Sequence, residues 1–122
     1  MSLERRRSPR IRCYLPVRLY PRGATTPIET LTQDFGPGGL RCLSPIPLPV
    51  STLLSVEIDL GPGWELIRLT AQTAWFTEAP YSEQFHVGLA FHDDSGKVQQ
   101  LLSRYLDRAF EHTSSQRHQS SR

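Results

Sequence analysis

Apolar and polar positions alternate with a period of two through most of this 122-residue chain, then change to a helical period near its end. In YLPVRLY (14–20), Leu15, Val17 and Leu19 fall on one side and Arg18 and Tyr20 on the other, the pattern of a strand with one buried face. A weaker strand follows at Ile28 to Asp34, and GPGG (36–39) forces a turn before LRCLS starts another. PIPLP (45–49) carries too many prolines for a central strand and reads as an extended connection. TLLSVEIDL places Leu54, Val56, Ile58 and Leu60 on one face against Glu57 and Asp59. After the GPG break (61–63), WELIRLTAQTAWF places Ile67, Leu69, Ala71 and Trp75 together. QFHVGLAF (84–91) does the same for Phe85, Val87, Leu89 and Phe91, with small Gly88 and Ala90 behind.

The pattern predicts strands near 14–20, 29–34, 39–43, 52–60, 65–76 and 84–91. Six short strands separated by turns make a mainly β domain, and an antiparallel barrel hides their edges best. Val98, Leu101, Leu102, Tyr105, Leu106 and Ala109 then form one helical stripe over about 95–110. Asp94 or Ser95 can cap its start, and the stripe is expected to cover one opening of the barrel. The division is an N-terminal arm (1–12), a barrel with its helix (13–111) and a polar tail (112–122) expected to be disordered.

Composition narrows the class. No apolar run approaches the roughly 20 residues of a membrane helix, and the N-terminus lacks the apolar region of a secretory signal. The expectation is a cytoplasmic protein with no membrane insertion. Cys13 and Cys42 are too few for a disulfide framework. The net charge of +2 conceals an asymmetry: seven arginines and one glutamate lie within residues 1–22, and the rest of the chain is net acidic. The stretch ERRRSPRIRC packs in Arg5, Arg6, Arg7, Arg10 and Arg12. Guanidinium groups grip phosphate or carboxylate with two bonds and stack on flat rings.

Catalysis finds little support. His86, His92, His112 and His118 have no metal-ligand spacing, and neither a nucleophile elbow nor a P-loop is present. The expectation is therefore no enzyme, no catalytic residue, no metal and no cofactor. Three readings of the arginine cluster stand side by side: a solvated arm, a nucleic-acid arm, or one half of a site for a small phosphorylated ligand. Nucleic acid is the weakest of them, because no basic face continues beyond the arm. Arg-x-x-x-Arg spacing recurs at Arg6/Arg10, Arg18/Arg22 and Arg104/Arg108. Only the first precedes the first strand and is followed by an acid and a glycine turn in DFGPGGL.

RRRSPRIRCYLPVRL, DFGPGGLRC, AQTAW and FHVGLAF, in this order and followed by an amphipathic helix, resemble a PilZ domain over about residues 4–110. The resemblance implies a six-stranded antiparallel barrel with a C-terminal helix. It also implies a bacterial, cytoplasmic receptor for the second messenger cyclic di-GMP. The family's Arg-x-x-x-Arg motif falls on Arg6 and Arg10, with Arg5 and Arg7 as further candidates. Its (Asp/Asn)-x-Ser-x-x-Gly motif falls on Asp34 and Gly39, with Gly36 in place of the serine. Guanidinium forks fit the guanine O6 and N7 acceptors, and a carboxylate at 34 can accept from the guanine N1–H and N2–H₂ edge. Losing the serine hydroxyl removes about 1 kcal/mol, roughly fivefold in affinity. With no output domain in the sequence, the receptor is expected to act on a separate partner protein or as a homodimer. A degenerate PilZ-like adaptor that binds only protein remains the alternative.

Overall fold

A computed structural model of the chain describes residues 14–92 and 96–120, with side chains through Arg108. The arm, Cys13 and the expected caps Asp94 and Ser95 lie outside the described residues. The elements are β1 (Pro16–Pro21), β2 (Ile28–Gly36), β3 (Gly39–Ser44), β4 (Leu53–Ile58), β5 (Ile67–Glu78), β6 (Phe85–His92) and α1 (Lys97–Ser120). The strands close into an antiparallel barrel in the order β1-β2-β3-β6-β5-β4.

The alternation in the sequence becomes the inside and outside of this barrel. Val17, Leu19, Val56, Ile58, Leu40, Cys42, Ala71, Val87 and Leu89 are all buried, each from an inward position of its strand. Burial pushes the Cys42 thiol up to about 12, so it stays protonated at neutral pH as a core side chain. Leu48 from the proline-rich connection is also buried and closes the end where β3 leads to β4.

The other end holds the β2–β3 turn, the β4–β5 loop and α1. Leu102 and Leu106 are buried against the barrel. The Tyr105 ring lies 6.1 Å from Phe35 and 5.1 Å from Trp64, centroid to centroid. The first helical bond runs from the Gln100 N–H to the Gly96 carbonyl at 3.1 Å. The helix continues to Ser120, past the expected end near 110 and into the polar segment from His112 that was expected to be disordered. Once a packed first half has supplied the nucleus, each further residue adds one backbone bond. None of the described helix is long and apolar enough to cross a membrane.

Two strands depart from strict alternation. The β2–β3 register shifts between Thr32 and Asp34, and the β5–β6 register shifts between Thr73 and Trp75. Trp75 therefore does not join Ile67 and Ala71 inside, as the sequence pattern suggested. Thr73 is buried and Trp75 is 42% exposed on the outer surface. One extra residue in a strand flips every side chain after it to the opposite face.

The turn between β2 and β3 is tight and held. Gly36 pairs with Gly39, and the Gly38 carbonyl accepts the Phe91 N–H of β6 at 2.9 Å. A Cβ on Gly39 would run into the Leu89 carbonyl oxygen, whereas one on Gly38 would meet nothing within 4 Å. Neither glycine has a positive φ. Gly39→Ala should therefore lower stability by about 2 kcal/mol or more through a backbone clash that no rotamer relieves. Gly38→Ala should stay within about 0.5 kcal/mol of wild type. Urea unfolding of the two variants measures both values.

Candidate functional site

The bulges decide which side chains reach the outer surface. By simple alternation from Ile28 and Thr32, residue 34 would face the core. The shift after Thr32 sends Phe35 inside, fully buried, and Asp34 outside. Asp34 stands opposite Arg41 of β3, Arg41 opposite Gly88 of β6, and Gly88 opposite Trp75 of β5. One row thus crosses four neighbouring strands, and each of its two ends follows a bulge.

The chemistry along this row is specific. Arg41 Nε donates to Asp34 Oδ2 at 2.9 Å, with the two side chains 32% and 24% exposed. Two further ion pairs among the described residues, Arg18–Glu29 between β1 and β2 and Arg68–Glu57 between β5 and β4, lie elsewhere on the barrel surface. In each, at least one partner is more than half exposed, and such pairs contribute little. Gly88 has no side chain, and the Trp75 indole occupies that space: a Cβ on Gly88 would collide with Nε1, Cε2 and Cδ1 of the ring. A carboxylate, a guanidinium and an aromatic ring are therefore set side by side on one outer face.

Among the expected site residues, Asp34, Gly36 and Gly39 come together on the β2–β3 hairpin. Gly39 is glycine because β6 approaches it closely, and not for a positive φ. Gly36 is buried, and its φ is one that serine also adopts. Arg5, Arg6, Arg7 and Arg10 lie outside the described residues. The root of their segment is nevertheless fixed: the Leu15 N–H donates to Thr32 Oγ1 at 2.9 Å, and the Thr32 N–H donates to the Leu15 carbonyl at 2.8 Å. The described chain thus begins two residues from Asp34 across the sheet. Arg41, Gly88 and the outward Trp75 were not singled out as site residues from sequence. Their cue was the pair of segments GLRC and AQTAW, but alternation without the bulges hid the outward Trp75.

Other concavities have different chemistry. One of about 310 Å³ on β1, β2 and β4 is lined by Arg18, Glu29, Glu57 and Asp59. Another, of about 350 Å³, lies between the β4–β5 loop and α1, where Arg104 and Arg108 flank Asp107 and the Arg108 guanidinium sits 5.6 Å from the centre of the Trp64 ring. Among the described residues no cluster of His, Cys, Asp or Glu could hold a metal ion.

A closed six-stranded antiparallel barrel followed by a single C-terminal helix is the class of β domain that these elements define. The chain belongs to the PilZ domain family, whose model matches residues 4–108. No curated protein matches the chain closely enough to count as a relative. Solved structures with the same fold include the PilZ domain with c-di-GMP of YcgR from Escherichia coli, at 18% identity and TM-score 0.70, over 94% of this chain and 98% of that one. Another is the Bacillus subtilis inhibitor of motility MotI/DgrA, at 22% identity and TM-score 0.70, over 87% of this chain and 52% of that one. A third is the K. pneumonia MrkH–c-di-GMP complex, at 16% identity and TM-score 0.76, over 91% of this chain and 55% of that one. The matched region is about half the length of MotI/DgrA and of MrkH.

The seating of Trp75 on Gly88 can be tested directly. Gly88→Ala should push the indole off the sheet while the fold survives, since the obstructing atoms belong to a movable side chain. In a Trp64→Phe background, where Trp75 is the sole tryptophan, emission should shift to the red with a stability loss of about 1 kcal/mol. An unchanged spectrum would show that the ring does not rest there.

Proposed function

We propose that this chain is a receptor for cyclic di-GMP, held between the N-terminal arginine arm and the outer face of the β2–β3 hairpin, and that it signals to a separate partner protein. The observation that carries this reading is the outward Asp34 beside the fixed root of the arm. Asp34 supplies an acceptor for the guanine N1–H and N2–H₂ groups. Arg6 and Arg10 supply forks for phosphate or for the guanine O6 and N7 edge.

Chain lengths are compatible with closure. The row from Asp34 to Trp75 spans three strand spacings, roughly 14 Å. The root at Leu15 lies one strand spacing before Asp34 and two before Arg41, roughly 5–10 Å, and the five residues from Arg10 to Leu15 span up to about 17 Å when extended, so Arg10 can reach the Asp34–Arg41 part of the row. Five guanidinium groups close together repel one another, and a dianionic ligand relieves that repulsion. Binding therefore places the neutralised arm charge against the barrel, a change that a partner or a second copy of the chain can sense. The c-di-GMP named with the YcgR and MrkH structures supports the same assignment.

A second reading, an adaptor that binds protein and no nucleotide, is favoured by Gly36 at the serine position of the motif. The missing hydroxyl weakens binding about fivefold and does not abolish it. The φ of Gly36 lies outside the left-handed region, so the backbone conformation itself does not bar a serine there.

Calorimetric titration with cyclic di-GMP separates the two. The wild type should bind. Arg10→Ala should weaken binding at least tenfold, the equivalent of one charge-assisted hydrogen bond of about 1.5–3 kcal/mol. Arg104→Ala, with the same spacing but on α1, should change nothing. Gly36→Ser should equal or exceed the wild type by up to about fivefold. Equal binding by Arg10→Ala would remove the arm from the site, and absence of heat from folded wild type would establish the adaptor.

A further inference from the structure

Arg41 lies outside both arginine pairs discussed for the arm and the helix, yet among the described residues it is a cation that the structure places against Asp34. It comes from the adjacent strand, directly opposite Asp34, and its Nε is committed to Asp34 Oδ2 at 2.9 Å. Its next cross-strand neighbour, Gly88, contributes no side chain, and the Trp75 ring fills that space. Arg41 is thus confined between a carboxylate and the ring-covered backbone of β6, two-thirds buried but still open to the outside. One of the five guanidinium N–H groups is used on Asp34, which leaves four for other acceptors.

We infer that Arg41 is the residue that makes this site read guanine and reject adenine, an inference that rests on the cyclic di-GMP reading above. The pair presents an acceptor, Asp34, beside a donor, Arg41, on one outer face. The Watson–Crick edge of guanine is the complement: O6 accepts, and N1–H and N2–H₂ donate. Adenine reverses both adjacent positions. Its N6–H₂ would face the guanidinium, donor against donor, and its N1 lone pair would face the carboxylate, acceptor against acceptor. A site whose polar groups are left unpaired by the wrong ligand discriminates far more strongly than one that merely loses contact area. Arg41 also fixes the carboxylate by holding one oxygen, so Asp34 meets the base without first giving up rotamer freedom.

This assigns Arg41 two effects that separate experimentally. Positioning of Asp34 would change affinity for every ligand of the site. Reading of O6 changes the ratio between guanine and adenine ligands. The test measures affinities of wild type, Arg41→Met and Arg41→Lys for cyclic di-GMP and cyclic di-AMP, by displacement of a fluorescent cyclic di-GMP, with melting curves for each variant. Wild type should favour cyclic di-GMP by at least a hundredfold. Arg41→Met should lose at least tenfold in cyclic di-GMP affinity and a smaller factor in cyclic di-AMP affinity, so that the ratio between them falls at least threefold. Arg41→Lys keeps the charge but not the planar fork, and should keep a ratio at least threefold below wild type.

A ratio that stays at the wild-type value in Arg41→Met, whether both affinities fall or neither does, overturns the inference while leaving the receptor reading intact. Should Arg41→Met fail to fold, Arg41→Lys decides in the same way. A wild type that binds neither nucleotide removes the receptor reading, and this inference with it.

Discussion

Two inserted residues in the sheet set the outer surface of this protein. A barrel of strictly alternating strands would turn Asp34 toward the core and Trp75 into it. A lone carboxylate inside an apolar barrel would be forced to neutralise or to find a buried partner. The bulge before Asp34 and the bulge before Trp75 spare the core this cost, and in the same step deliver an acid and an aromatic ring to one face. Because both fall on one register row, they bracket Arg41 and Gly88. Bulges recur where a strand must re-aim a side chain for function.

Rigidity around that row comes from ordinary packing. Phe35, turned inward by the same bulge that turns Asp34 outward, is fully buried and meets Tyr105 of α1. Gly39 lets β6 close against the hairpin, and the Gly38 carbonyl is tied to Phe91. The helix, the hairpin and the row are therefore one mechanical unit, with the carboxylate standing on its fixed part. The arm is anchored to the same unit through Leu15 and Thr32. On the proposed reading, the ligand is held between this acceptor and the arginines of the arm.

The six strands and the start of the helix were legible in the sequence because period-two and 3.6-residue patterns report burial, and burial dominates this fold. Leu54, Val56 and Ile58 needed no further information. The helix end was not legible, since the segment beyond Ala109 has no apolar face by which to mark its length. The hairpin residues of the candidate site, Asp34, Gly36 and Gly39, are marked in the sequence only through the resemblance to a family motif. Arg41 and the outward Trp75 are not, for a physical reason: a bulge reverses the side-chain parity after it, and nothing in the alternation of residue types announces one. In the sequence Gly88 is only a small residue behind an apolar face. Its use became visible when the indole was seen lying where its side chain would be.

Amide and indole resonances of the ¹⁵N-labelled chain, followed during titration with cyclic di-GMP, test this account most directly. Shifts should concentrate at Asp34, Arg41, Gly88 and the Trp75 indole, with the Trp64 indole, Glu57 and Arg104 unmoved. Saturable shifts at Glu57 or Arg104 with the Asp34–Trp75 row silent would contradict it.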